Sequence, residues 1–325
     1  MNSLVTHVRG LWPRFGLLVL APFWAIVVVR AAQRALRWDE VLVALVATGL
    51  AYGTARTKRL FLGILPIGLV AVLYDAMHGL KDLGLSPERV HVCDLRAIEM
   101  RWFGVDVGGV RGTVHDYLQA HAVPAVDALC AIPYGIFIYV VIGYALYLYR
   151  RDYPRLLRFT WCFLALNLTG FIIYHLYPAA PPWYFHSYGC HVDLSTSANE
   201  GPNLARVDTW LGFPYFANFY RRSSDVFGAV PSLHVAYPLL MVIEGFSLHR
   251  VVGRVSLIGF YLLMCFSAVY LDHHWICDVV AGSVLTLLTV ALVRRAFRSK
   301  LGELAPLRLS YGSAPSARRE TGDSH

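Results

Sequence analysis

The sequence predicts an all-α fold, a polytopic membrane helix bundle in which a core of six helices follows about two extra N-terminal helices. Hydrophobic residues make up 57% of the 325-residue chain and charged residues only 15%, a balance typical of multi-span membrane proteins and not of soluble domains. The apolar residues form runs that approach the roughly 20 residues a helix needs to cross a bilayer. Short basic clusters separate these runs, as in juxtamembrane loops.

The apolar runs give the order of the predicted helices. The first two runs are short for a bilayer span, so we expect them to tilt, to pair or to lie in the interface. We assign residues 1–59 to these N-terminal membrane segments, 60–293 to the main membrane domain and 294–325 to a basic, disordered tail. The runs are residues 16–29, 41–53, 60–77, 125–149, 159–177, 231–248, 255–271 and 275–293.

The basic clusters also predict the orientation of an integral, multi-pass protein. If every run spans, the clusters at 56–59, 150–158, 249–254 and 294–300 share one side, which the positive-inside rule makes cytoplasmic together with the C-terminus. The hydrophilic stretches 79–124 and 178–230 then form a cap on the periplasmic or luminal side. The excess of arginine over lysine favours a bacterial inner membrane.

One basic cluster disagrees with this orientation. Arg30, Arg34 and Arg37 fall on the outer side if both of the first two runs span. A hairpin that does not fully cross the membrane is therefore the alternative for these two segments. No basic helix with interleaved aromatic residues occurs in the sequence, which excludes nucleic acid as a partner.

Two histidine motifs begin two of the apolar segments. The first is the stretch 228–236, Gly-Ala-Val-Pro-Ser-Leu-His-Val-Ala, and the second is 270–278, Tyr-Leu-Asp-His-His-Trp-Ile-Cys-Asp. One run, 255–271, lies between them and can just cross the hydrocarbon core. The segments after the two motifs therefore run parallel, and both motifs face the same outer compartment.

The second motif carries a histidine and a carboxylate at helical spacing. His274 and Asp278 are four residues apart, so on a helix the carboxylate can hold one ring nitrogen and leave the other free as a nucleophile. A polar pair that caps a helix at the interface is the alternative for these two residues. In the first motif, Pro231 and Ser232 suit a helix N-terminus, where backbone N–H groups favour an anion such as phosphate. His234, just inside that helix, is suited to general acid–base work, and a structural hydrogen-bond donor is its alternative.

Three stretches together resemble the type 2 phosphatidic acid phosphatase superfamily of membrane lipid phosphatases and phosphotransferases, and within it the fungal-type inositol phosphorylceramide synthases. They are Pro-Ser-Leu-His at 231–234, His-Trp-Ile-Cys-Asp at 274–278, and Tyr-Pro-Ala-Ala-Pro-Pro-Trp at 177–183. The resemblance implies His274 as nucleophile, His234 as second catalytic histidine and Asp278 as orienting carboxylate. It also implies transfer of inositol phosphate from phosphatidylinositol to the hydroxyl of a ceramide-like lipid through a phosphohistidine, with no cofactor.

The departures from the family pattern favour the synthase branch over a lipid phosphate phosphatase, which remains the alternative. Ser267-Ala268 stands where the phosphatase branch has Ser-Arg, so a phosphate-binding arginine is missing. Arg221 and Arg222 are candidates for that cation, with an ordinary solvated loop pair as the alternative. Asp272 occupies a position where the synthases commonly have a small polar residue. Further candidates for substrate binding are Ser232, Tyr177, Trp183 and His273.

A metal site is not expected, because the motifs contain no acidic cluster and the adjacent His273 and His274 would point to different faces of a helix. A lipid transporter or scramblase is a more distant alternative, but such folds often carry internal repeats, and the sequence shows none. Cys93 and Cys190, one in each hydrophilic stretch, are candidates for a disulfide that ties the two cap stretches together.

Overall fold

Long apolar helices make up the body of the protein. The computed structural model describes residues 2–12, 16, 18–78, 83–196, 203–220 and 225–304. Within this part of the chain, 5 helices are long and apolar enough to cross a membrane, and each predicted apolar run contains a helix among its described residues. The structure confirms an all-α, polytopic membrane bundle.

The elements follow one another along the chain with few residues between them. The helices are α1 (Asn2–Leu11), α2 (Ala21–Ala32), α3 (Trp38–Tyr52), α4 (Ala55–His78), α5 (Cys93–Phe103), α6 (Val114–Ala120), α7 (Pro124–Arg151), α8 (Tyr153–Leu176), α9 (Pro182–Tyr188), α10 (Leu204–Leu211), α11 (Tyr215–Tyr220), α12 (Leu233–Gly245), α13 (Val251–Tyr270) and α14 (Ile276–Leu304). An antiparallel hairpin of β1 (Val105–Val107) and β2 (Val110–Gly112) lies between α5 and α6, and 3₁₀ turns cover Leu18–Leu20 and Pro87–Arg89.

Helix α12 lies at the centre of the bundle although it is the shortest of the core helices. It packs against α7, α8, α13 and α14. Its buried face contributes Ala236, Leu240 and Met241 to the largest core cluster, which also includes Leu156 and Phe159 of α8. A helix of 13 residues can occupy the middle of a membrane protein because its neighbours, and not lipid, surround it.

The N-terminal hairpin α2–α3 packs along α4. Phe23 of α2 and Phe61 of α4 join alanines of α3 in a separate small core. At the other end of α2, the Arg30 guanidinium lies 3.0 Å from Asp75 of α4 and 3.5 Å from Glu40 of α3. Arg30 therefore has carboxylate partners inside the protein, which explains in part why its basic cluster departs from the pattern of the others.

The remaining basic clusters lie together at one end of the bundle. The Tyr149 hydroxyl at the end of α7 donates to the Arg56 carbonyl at the start of α4, at 3.1 Å. The buried carboxylate of Glu244 on α12 pairs with Arg294 of α14 at 2.9 Å and with Arg158 of α8 at 3.4 Å. Helix α14 extends to Leu304, past the predicted end of its apolar run, and the predicted disordered tail lies outside the described residues from 305 onward.

The two hydrophilic stretches form a cap at the opposite end. The first contains α5, the β-hairpin and α6, and the second contains α9, α10 and α11. Cys93 at the start of α5 and Cys190 after α9 are joined by a disulfide, with their Cα atoms 5.5 Å apart. Backbone hydrogen bonds also join the stretches: His91 N–H donates to the Pro178 carbonyl at 2.9 Å, and Ala180 N–H donates to the His91 carbonyl at 2.8 Å.

Removing the disulfide should loosen the cap. The bond closes a chain separation of 97 residues, so Cys93→Ser or Cys190→Ser should lower the free energy of unfolding by about 2–5 kcal/mol. The thermal unfolding midpoint in detergent and the mobility on a non-reducing gel measure this. Cys265→Ser, at a free and partly exposed cysteine, is the control and should leave gel mobility unchanged. Equal mobility and stability of the cap variants and wild type would contradict the bond.

Candidate active site

Three histidines meet where the cap covers the bundle. His234 lies in the first turn of α12, and His273 and His274 lie in the turn between α13 and α14. His234 Nδ1 is 3.1 Å from His274 Nε2, which is hydrogen-bond distance. All three rings line one cavity, so the two sequence motifs form a single site.

A close approach between α12 and α14 allows this meeting. Ser232 N–H, just before α12, donates to the Asp278 carbonyl in the first turn of α14 at 3.0 Å. One turn further along α14, a Cβ on Gly282 would lie 2.3 Å from the Ser232 carbonyl oxygen. Only glycine fits at position 282 with this helix spacing, because the obstructing atom belongs to the backbone and cannot rotate away.

The hydrogen bonds of His274 determine which of its nitrogens is free to react. His274 Nδ1 lies 2.9 Å from the Ala229 carbonyl oxygen, and a carbonyl can only accept a hydrogen bond. Nδ1 of neutral His274 therefore carries the proton and Nε2 carries the lone pair. It follows that His234 Nδ1 donates to His274 Nε2 across their 3.1 Å contact. The geometry gives one imidazole a free lone pair and the other a proton directed at it.

Asp278 is a more distant partner of His274 than the sequence predicts. Its Oδ2 lies 3.6 Å from His274 Nδ1, and the same oxygen accepts from Trp275 N–H at 2.9 Å. The sequence predicts that the carboxylate holds the His274 ring nitrogen. In the structure the Ala229 carbonyl lies at hydrogen-bond distance from that nitrogen, and the Asp278 carboxylate lies behind it. The fully buried carboxylate still lies close enough to favour a positive charge on His274.

A backbone ladder in the cap places the Ala229 carbonyl. Ala179 N–H donates to the Phe227 carbonyl at 2.7 Å, and Ala229 N–H donates to the Ala179 carbonyl at 3.1 Å. Ala179 also bridges to His91 on its other side, so the segment before α12 is held like an edge strand. Sequence reasoning missed Ala229 because a backbone carbonyl carries no signal in residue type.

A residue of the cap accepts a hydrogen bond from a backbone N–H group in the first turn of α14. Glu99 of α5, which is completely buried, accepts from Cys277 N–H at 2.7 Å through Oε1. The Asp278 side chain accepts a hydrogen bond from Trp275 N–H. The carboxylates of Glu99 and Asp278 therefore both cap this helix N-terminus. The sequence does not predict this contact, because positions 99 and 277 are far apart along the chain.

His273 lies beside the histidine pair and has an open polar atom. Its ring meets the rings of Tyr134 and Tyr220 edge-on at 4.6 and 5.1 Å, and its buried Nε2 has no hydrogen-bond partner among the described residues. Burial holds the pKa of His273 well below its ordinary value, so the ring is neutral. The expectation that His273 and His274 point to different faces of a helix is wrong, because both precede α14 and line the same cavity.

The other predicted substrate-binding residues have different positions. Trp183 lines the cavity, whereas Tyr177 is absent from its lining and stacks on His91 with ring centroids 3.8 Å apart. Ser232 occupies the N-cap of α12, but its buried hydroxyl makes no capping hydrogen bond. Arg221 and Arg222 lie outside the described residues, directly after α11.

The cavity runs from the histidines into the apolar part of the bundle. Its volume is about 1120 Å³, and its lining comes mainly from α4, α7, α8 and α11, with smaller contributions from α2, α3 and α12. A hydrogen-bonded polar pair interrupts the apolar wall one turn beyond His234, where the Tyr237 hydroxyl donates to Asn167 Oδ1 at 2.7 Å. Arg37 is the only arginine or lysine among the described lining residues, and it lies beside Asp39 and Asp75.

Residues 109–292, which include both histidine motifs, match the PAP2 superfamily. This chain belongs to the PAP2 superfamily. The match covers α6 to most of α14, and with them the histidine site.

Curated relatives extend the comparison beyond the superfamily. A phosphoinositol dihydroceramide synthase of Bacteroides thetaiotaomicron is 32% identical over 268 residues, which are 79% of this chain and 84% of that protein. The inositol phosphorylceramide synthase catalytic subunits of Schizosaccharomyces pombe and Saccharomyces cerevisiae are 27% and 30% identical over 78% and 71% of this chain. The matched region spans only 58% and 55% of those two fungal proteins. No solved structure matches this PAP2 superfamily protein significantly.

Enlarging residue 282 should separate the two histidine motifs. Gly282→Ala places a Cβ against the Ser232 backbone, so we expect a loss of about 1–3 kcal/mol in stability and a fall in turnover of at least tenfold. Gly259→Ala on α13, where a Cβ meets nothing within 4 Å, is the matched control and should be neutral. Unfolding midpoints and initial rates check both variants, and a fully active, fully stable Gly282→Ala protein would contradict the described helix spacing.

Proposed function

We propose that this PAP2 superfamily protein is a phosphotransferase that moves inositol phosphate from phosphatidylinositol to the hydroxyl of a ceramide-like lipid. The observation that carries the proposal is the paired, oppositely protonated histidines at the end of a largely apolar cavity. The names of the relatives supply the substrates, since the Bacteroides relative is a phosphoinositol dihydroceramide synthase and the fungal relatives are inositol phosphorylceramide synthases.

The first step is attack by His274 on the phosphodiester of the donor lipid. The lone pair on Nε2 forms the nitrogen–phosphorus bond while the bond from phosphorus to the diacylglycerol oxygen breaks. His234, which acts in its imidazolium form with a proton on each nitrogen, gives one proton to that departing oxygen and becomes neutral, and diacylglycerol leaves as a neutral alcohol. The inositol phosphate group stays on His274 as a phosphohistidine. For this step the phosphorus must enter between the two rings, which are in direct contact in the structure.

The second step reverses the proton movement. His234, now without its proton, removes the proton from the acceptor hydroxyl, and that oxygen attacks phosphorus as the nitrogen–phosphorus bond breaks. His274 is regenerated with its proton still on Nδ1. The Ala229 carbonyl keeps the ring oriented throughout, and Asp278 offsets the positive charge that His274 acquires as the phosphohistidine forms.

Several groups are placed to hold the phosphate and the lipid. His273 Nε2 can donate to a phosphate oxygen, and the N-terminus of α12 favours an anion at the same end of the cavity. Arg221 and Arg222 remain our candidates for the cation, because they directly follow Tyr220, which lines the cavity. Trp183 and the apolar wall fit the lipid portions of donor and acceptor.

The distribution of charge supports an orientation in the membrane. The basic clusters lie at the end of the bundle opposite the histidines, so the positive-inside rule gives a cytoplasmic C-terminal end and an outer active site under the cap. The disulfide in the cap fits the periplasm or a lumen, where such bonds persist. With a bacterial relative at the highest identity quoted above, we propose the inner membrane of a bacterium.

A labelled donor lipid tests the proposal. Purified protein receives phosphatidylinositol labelled in the inositol, with and without ceramide, and the label is followed by chromatography. We expect label in a new lipid only when ceramide is present, and a loss of at least 10⁴-fold in rate for His274→Ala. Release of free inositol phosphate that is independent of ceramide would identify a hydrolase of the same superfamily instead. Wild-type rates in His274→Ala would contradict the nucleophile.

A further inference from the structure

The backbone just before the catalytic histidines has an unexpected conformation. Helix α13 ends in a turn in which Asp272 N–H donates to the Val269 carbonyl and His273 N–H to the Ala268 carbonyl, both at 3.1 Å. This is a Schellman motif, and the residue at its left-handed position is usually glycine. Here that residue is Asp272, with φ of 66°. A side chain in this left-handed conformation raises the conformational free energy by about 1 kcal/mol relative to glycine. Asp272 must therefore make contacts that glycine could not make.

The Asp272 carboxylate is buried and meets two histidines of the cap. Its Oδ2 lies 2.5 Å from His186 Nδ1 of α9, and its Oδ1 lies 3.2 Å from His115 Nδ1 of α6. The Asp272 carbonyl accepts from Trp183 N–H at the start of α9 at 3.0 Å. The turn is therefore held by α9 through both its side chain and its backbone, and His115 of α6 lies beside the same carboxylate.

The contacts continue from Asp272 to the outside of the cap as alternating charges. His186 Nε2 lies 2.9 Å from Asp116 Oδ1 of α6. Arg96 of α5 binds both oxygens of Asp116, at 3.0 and 2.9 Å. Arg96 is three residues after Cys93 and His186 is four before Cys190, so the disulfide lies close to α5 and α9, two of the three helices that carry this chain of contacts.

We propose that Asp272 is a positioning residue. Its contacts with His115 and His186 of the cap fix the turn, and the turn presents His273 and His274 to the cavity. The inference rests on the proposed function for its activity readout. It explains why a charged residue stands at the left-handed position of a turn where glycine is usual. Glycine would relieve the backbone but would leave the catalytic turn without its side-chain connection to the cap.

The ionisation of the pair supports this role. Burial alone would lower the pKa of His186, but hydrogen bonds with Asp272 and then Asp116 outweigh it and raise the pKa to about 9. For Asp272 burial alone would raise the pKa, but His115 and His186 outweigh it and hold the pKa of Asp272 below its usual value. His186 faces Asp272 and Asp116, with His115 and Arg96 behind these carboxylates. The ion pair is therefore complete at neutral pH and is lost as the pH rises through about 9.

Two glycine variants separate the side chain from the backbone. Asp272→Gly removes the carboxylate and relieves the left-handed position. Arg34→Gly relieves the other left-handed residue that is not glycine in the described chain, with φ of 57°, which is exposed and does not line the cavity. We expect kcat to fall at least tenfold in Asp272→Gly with KM for the donor changed less than threefold, and both to be unchanged in Arg34→Gly. Wild-type kcat in Asp272→Gly would overturn the proposal.

A chemical readout works without any assumption about the substrate. Diethyl pyrocarbonate modifies accessible neutral imidazoles, and mass spectrometry gives the rate at His274. A turn released from the cap should expose His274, so this rate should rise at least threefold in Asp272→Gly and stay at the wild-type value in Arg34→Gly. An unchanged rate in Asp272→Gly would overturn the proposal even if the protein transfers a different head group.

His186→Gln gives a second test that leaves Asp272 and its turn in place. Wild-type activity should fall as the pH rises through about 9, because His186 loses its proton there. The variant should be slower at pH 7 and should lack that alkaline fall. A variant with the wild-type pH profile and rate would contradict a positioning role, since loss of a purely structural contact would lower stability without moving the profile.

Discussion

The hydrogen bond from His274 Nδ1 to the Ala229 carbonyl is the interaction on which the site depends. It fixes the proton on Nδ1, leaves the Nε2 lone pair free and thereby sets His234 as the proton donor. Moving the carbonyl would allow the other tautomer, in which His274 Nε2 carries the proton and cannot act as a nucleophile. The acid–base roles that we propose for the two histidines therefore follow from the placement of one backbone oxygen.

Both halves of the molecule are needed to place that oxygen. The membrane bundle brings α12 and α14 together at Gly282, which sets the distance between the histidine motifs. The cap holds the segment before α12 through the Ala179 ladder and satisfies the first turn of α14 through Glu99. The cap is thus part of the catalytic architecture, and the disulfide within it stabilises residues that contact the histidine turn.

Periodicity and motif spacing were sufficient to predict the helix order, the parallel direction of the two histidine segments and the residues that meet in the cavity. These features depend on local sequence. The Ala229 carbonyl, the Glu99 cap and the Asp272 contacts could not be predicted, because each joins residues far apart in sequence and no pattern of residue types marks them. Tyr177 shows the converse, since it belongs to a recognisable motif but stacks on His91 and is absent from the cavity lining.

The central claim is that His274 carries the phosphoryl group between the two lipids, and direct detection of that intermediate tests it. The protein would be mixed with phosphatidylinositol labelled in the phosphate, without acceptor, quenched in alkali and digested for mass spectrometry. We expect an acid-labile, alkali-stable inositol phosphate adduct on the peptide containing His274, which disappears when ceramide is added. Label on another residue, or transfer at full rate with no labelled protein at any time, would contradict it.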